Sequence, residues 1–96
     1  MSSSTVICPE HLVISTVEEF KLELADALST GVDIELDASD VAKVDSAGMQ
    51  LLLAFKRAVE ANKLAFKWLK VSTQFVVIAE KIGIHKELDI LDAQVV

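Results

Sequence analysis

Cysteine occurs once in this chain, at Cys8, so no intrachain disulfide can form and no cysteine cluster can hold a metal. The only histidines, His11 and His85, show no metal-ligand spacing with other donors, and each reads as a surface or turn residue. A glycine-rich phosphate loop, a nucleophile elbow and a zinc motif are all missing, so the chain shows no means of binding ATP and no catalytic constellation. A non-catalytic domain without cofactor or metal is expected. No apolar run approaches membrane-spanning length, and the start, Met1-Ser2-Ser3-Ser4-Thr5, carries no positive residue. These features imply a cytoplasmic domain with no direct membrane insertion. Basic residues are in the minority, 9 against 15 acidic, for a formal net charge of -6. That balance argues against nucleic acid, whose binding draws most of its affinity from basic side chains, and against anionic membrane surfaces. It suits a protein partner with a basic face.

What is present is apolar and periodic. The hydrophobic fraction of 52% over 96 residues is enough for one core, so a single domain over residues 1–96 is expected, with 1–4 flexible. One proline, Pro9, and three glycines, Gly31, Gly48 and Gly83, fall between periodic segments as punctuation.

The first apolar segment runs from Val6-Ile7-Cys8 to Leu12-Val13-Ile14 and is interrupted by Pro9. It reads as one broken strand or a tight two-strand ribbon. Thr16 followed by Glu19 predicts a capping box, ahead of a helix with Phe20, Leu24, Ala27 and Leu28 at helical spacing and Gly31 as its stop. Val32-Asp33-Ile34-Glu35-Leu36-Asp37 alternates with period two and predicts a strand. Ala38 to Val44 reads as a short connection, and Ala47 to about Asn62 as a more apolar, more buried helix. Leu64 to Val71 predicts another strand, and Ser72 caps a third helix that Gly83 ends. The tail, Ile84 to Val96, adds a last strand or a turn of helix. The alternation of strand and helix predicts an α/β fold, a small mixed β-sheet covered by three to four helices, with at least part of the sheet parallel.

The run from Leu36 to Leu52 contains Asp37, then a loop, then Asp45-Ser46-Ala47-Gly48 opening an apolar helix. It resembles the signature of the STAS domain family, the anti-sigma-factor antagonists, in which a strand ending in aspartate leads through a loop to Asp-Ser or Asp-Thr, a small residue and glycine. The Thr16 helix, the strand through Trp68 and the helix from Phe75 to Gly83 match the same order, so the resemblance covers nearly the whole chain. It implies a bacterial signal-transduction protein that docks on a serine kinase or anti-sigma factor and is switched by phosphorylation. Ser46 is then the candidate phosphoacceptor, a phosphoprotein site, and Asp37, Asp40, Asp45, Ala47, Gly48 and Met49 are the candidate partner-binding residues. Asp45 would hold the loop or assist recognition, and Gly48 would let the partner's backbone approach. The resemblance equally admits a constitutive subunit bound to the ATPase of a phospholipid-transport ABC complex, or a chemotaxis-associated adaptor.

Simpler readings stand beside these. Serine is among the best helix N-caps, so Ser46 has a structural role open to it that is compatible with phosphorylation. Cys8 lies among apolar residues and reads as a small core hydrophobe. Trp68 alternates with Phe66 and Leu64, which points to packing. Asp33 and Glu35 share one strand parity and read as a solvated face. The apolar pairs Ile90-Leu91 and Val95-Val96 either finish the core or join two copies in a homodimer.

Overall fold

The computed structural model describes residues 3–90 and 93–96. Its elements follow the order β1 (Ser3–Ile7), β2 (His11–Leu12), α1 (Val17–Ser29), β3 (Asp33–Ala38), β4 (Lys43–Val44), α2 (Ser46–Ala61), β5 (Phe66–Val71), α3 (Thr73–Ile82) and β6 (Gln94–Val95). Four strands form a sheet in the order β1-β3-β5-β6, and β2 and β4 form a separate two-stranded sheet. The α/β architecture follows the sequence pattern, with three helices among the described residues. Every described strand pair is parallel, which goes further than the small mixed sheet anticipated. Parallel neighbours need a crossover, and the helices between strands supply it.

Strand periodicity separates the two faces of the sheet. Along β3, Ile34, Leu36 and Ala38 are buried under the helices, while Asp33, Glu35 and Asp37 look outward. On β5 the alternation is interrupted by a bulge: Leu36 pairs with Trp68 but Asp37 pairs with Lys70, so Leu69 is the extra residue. The bulge puts both Trp68 and Val71 in the core. It also sets Lys67 beside Glu35 and Lys70 beside Asp37 on the outer face. Opposite charges across neighbouring strands stabilise that polar face.

Trp68 lies at the centre of the packing, with its ring 5.4 Å from Phe66 and 5.3 Å from Phe75 between centroids. Its Nε1–H donates to the Leu88 carbonyl at 2.7 Å, satisfying the indole and fixing the turns after α3 to the core. Lys56 on α2 is buried along its stem and pairs with Glu60 at 2.8 Å and Asp89 at 3.4 Å, a second tie to the same segment. The hydrogen bond to Glu60, followed by that to Asp89, raises the Lys56 pKa against the effect of burial. The tail therefore provides turns over His85–Asp89 and then a short strand, β6, on the edge of β5. Of the two apolar tail pairs, Ile90 is in the core and Val95-Val96 is exposed, while Leu91 lies outside the described residues.

Several local expectations are corrected. Ser3 and Ser4, anticipated as flexible, pair with Asp33 and Ile34 in β1. β1 and β2 are neither one strand nor a ribbon, because their hydrogen bonds go to different partners, β3 and β4. The Glu10 carbonyl between them accepts from Ala42 N–H at 2.8 Å and Lys43 N–H at 3.1 Å, so the supposed connection 38–44 holds a strand of its own. The capping box does not form. Thr16 already has helical backbone angles instead of the extended ones of a capping residue, and makes no side-chain cap bond. Its hydroxyl accepts from Val13 N–H at 3.1 Å and donates to the His11 carbonyl at 2.9 Å, closing the β2–α1 loop instead. Gly31 does follow α1 with φ +72°, the left-handed conformation anticipated there.

Candidate docking surface at the start of helix α2

β4 runs directly into α2 through Asp45, and the first turn of the helix is anchored from that residue. Asp45 has extended backbone angles, and its Oδ1 accepts from Gly48 N–H at 3.1 Å, so Asp45 and not Ser46 is the N-cap. Its Oδ2 accepts from Ile14 N–H at 3.0 Å, tying the β2–α1 loop to the helix start. These N–H donors, Gly48 first and Ile14 next, hold the Asp45 carboxyl below the usual carboxylate range. Asp45 is therefore a structural clamp that joins two loops at one point.

Ser46, displaced from the capping position, is the first residue of α2 and is exposed. Among the described residues its hydroxyl has no side-chain hydrogen bond. Ala47 beside it is half-buried. Gly48 and Met49 are both buried and offer no surface to a partner. The reason for glycine at 48 lies inside the molecule: a Cβ there would overlap the Leu12 carbonyl oxygen, the same oxygen that accepts from Asp45 N–H at 3.3 Å. The closest approach at Gly48 is thus between α2 and β2, not between this chain and another.

Of the remaining candidates, Asp37 at the end of β3 accepts at Oδ1 from Ser39 N–H at 2.9 Å and Ser39 Oγ–H at 2.6 Å. These bonds, side chain first, lower its pKa, with Lys70 contributing. Asp37 shapes the β3–β4 loop, and Asp40 within that loop is exposed. The structure brings Asp45, Ser46 and Ala47 together at one helix start. It keeps Asp37 in β3, bonded to Ser39 of the following turn, and places Gly48 and Met49 in the interior.

An apolar groove lies next to that helix start and was not anticipated. It has a volume of about 500 Å³ and is lined by Val13, Ala42, Lys43, Val44, Val77 and Ile78, together with the polar Thr73 and Gln74. Ile14, whose N–H Asp45 binds, is 71% exposed, and Val77 on α3 is also exposed. The residues come from the β2–α1 loop, β4 with Ala42 just before it, and α3, so no local pattern unites them. The one hint in the sequence is an excess of apolar side chains: Val13 and Ile14 continue past β2, and Val76-Val77-Ile78 exceeds what one buried helix face requires.

Among the described residues no histidine, carboxylate or other base hydrogen-bonds the Ser46 hydroxyl. His11 is exposed beside Glu10, at 3.4 Å, and His85 lies in the turns after α3. Cys8 is buried, and desolvation first, then Asp37 and Glu23, push its thiol up to about 12, so it stays protonated and inert. Among the described residues no helix is long and apolar enough to cross a membrane.

Compared with curated proteins, the chain finds no match. The family model described as "Mlab, STAS domain" does match it, over residues 4–92. Domains of that family generally mediate protein–protein contacts and are generally non-catalytic. The match runs from β1 through α3 and takes in the three described helices and the Asp45-Ser46 helix start, with β6 outside it, and the chain belongs to the STAS domain family.

Proposed function

We propose that this chain is a cytoplasmic protein-interaction switch, resembling the anti-sigma-factor antagonists. The face formed by Ser46, Ala47, Asp40, Ile14 and the apolar groove docks on a serine kinase or anti-sigma partner. Phosphorylation of Ser46 ends the docking. The observation that carries this reading is the exposed Ser46 hydroxyl, left uncommitted because Asp45 caps the helix in its place. A phosphate at the first residue of a helix is favoured by the positive end of the dipole. It would also add roughly -1.5 to -2 charges beside an apolar groove and next to Asp45, enough to expel an apolar partner surface. Asp45, Gly48 and Met49 act in this scheme by holding the helix start in place, and Asp37 by shaping the adjacent loop.

A second reading, a constitutive subunit bound to a transporter ATPase, is favoured by the groove itself, whose apolar lining does not depend on the state of Ser46. Intact-protein mass spectrometry after incubation with ATP and source-cell lysate separates the two. A gain of one phosphate that vanishes in Ser46→Ala supports the switch. No gain, while a control substrate is phosphorylated, supports the constitutive subunit.

A further inference from the structure

The two edges of the main sheet are unequal. β6, at one edge, has only two residues, Gln94 and Val95, and shortness is a common protection against pairing with another chain. β1, at the other, spans Ser3–Ile7 and has neither a charged residue nor a proline within it. Cys8 N–H, just beyond, donates inward to the Asp37 carbonyl at 2.8 Å. Backbone direction alternates along a strand, so Ser4 and Val6 also face β3, and the N–H and C=O groups of Ser3, Thr5 and Ile7 face away from the sheet. These three residues are exposed, and Ile7 is 62% accessible. Among the described residues, β1 has no strand partner other than β3.

We propose that β1 pairs antiparallel with β1 of a second copy of this chain, about a two-fold axis at Thr5. The outward-facing positions are symmetric about Thr5. Ser3 then meets Ile7 of the other copy, Thr5 meets Thr5, and each such pair exchanges both of its N–H···O bonds. The strand is its own complement. A chain of net charge -6 resists self-association over most of its surface, but this edge carries no charge to oppose it. The acidic side chains on that face belong to β3, one strand inward: Glu35 accepts hydrogen bonds from Ser3 at 3.1 Å and Thr5 at 3.4 Å, Asp33 from Ala65 N–H at 2.9 Å and Asp37 from Ser39. Pro9 ends the pairing, so the contact is small and the association weak and concentration-dependent. The result is a continuous sheet running through two copies, with both docking surfaces left free.

Sedimentation equilibrium from tens of micromolar to about a millimolar tests this. The wild-type mass should rise from 10.4 kDa toward twice that value as concentration increases. Thr5→Pro removes an N–H that points away from β3, so it should keep the fold and remain at 10.4 kDa. Thr5→Lys sets like charges opposite each other across the axis and should do the same with the backbone donor intact. A wild type that stays at 10.4 kDa throughout overturns the proposal. So does a wild-type dimer that persists in both variants, which would move the contact to another surface such as the Val95-Val96 tail.

Discussion

Two helices in this domain begin in the same way, at the end of a strand and beside a serine, yet the two serines have opposite fates. At α3, Ser72 occupies the capping position and is buried; its Oγ accepts from Phe75 N–H at 3.1 Å and donates to the Val41 carbonyl at 2.6 Å. At α2 the capping position belongs to Asp45, and Ser46 stands one residue later, in the first turn, with its hydroxyl exposed. A shift of one residue relative to the helix start decides whether a hydroxyl is consumed by the fold or available to a partner. An aspartate suits the exposed start because its two oxygens hold both Gly48 and Ile14, where a serine offers a single oxygen.

The comparison can be broken hardest at Gly48. Gly48→Ala would drive a methyl group into the Leu12 carbonyl, and backbone cannot swing aside as a side chain can. A loss of about 3 kcal/mol, the upper end of overpacking costs, is expected in urea unfolding. A smaller loss would mean that α2 can lift from β2, and the helix start would then be mobile instead of fixed. Next in size is Ser72→Ala, which leaves a buried donor and a buried acceptor unpaired and should cost about 2 kcal/mol by the same measurement.

The order of those effects also shows what was legible in the sequence. α1, β3, α2, β5 and α3 were readable because each is long enough to display its period. β4 was not, since two residues carry no period and its pairing depends on the Glu10 carbonyl, far away in the chain. The bulge at Leu69 was equally silent, because it exists only in relation to β3. At the site, Asp45-Ser46-Ala47-Gly48 was recognisable as a local string, and the position of Ser46 at a helix start followed from it. Which residue caps, and which way Gly48 and Met49 face, depends on β2 lying beneath the helix. The groove was beyond reach for the same reason, as three separate segments build it. The Thr16 capping box failed through a competing local bond, the hydroxyl closing its own loop.

Asp45 offers a smaller and pH-dependent test. Its folded-state pKa lies below the ordinary value of 3.8, so its contribution is complete above that value and disappears as pH falls through the folded-state pKa. Asp45→Asn keeps one capping oxygen but loses the acceptor for Ile14 N–H, and should lower Tm at neutral pH by roughly 5 °C. The difference from wild type should begin to shrink as the pH falls below 3.8 and vanish only below the still lower folded-state pKa, where the wild-type carboxylate is itself protonated. A gap constant down to acid pH would show that the charge of Asp45 is irrelevant to the clamp.

The smallest expected effect is the most informative one. Ser46→Ala removes no hydrogen bond seen among the described residues and places a better helix former in the first turn of α2. Its stability should therefore stay within about 0.5 kcal/mol of wild type, with either sign. The same substitution at Ser72 is costly, so the pair measured side by side reports the position of each hydroxyl and not the residue type. If Ser46→Ala lost as much as Ser72→Ala, the Ser46 hydroxyl would be part of the helix start, and its phosphorylation would act by melting α2. If it loses nothing, a phosphate at Ser46 acts on a fold that is already complete, and its effect must be read in the partner.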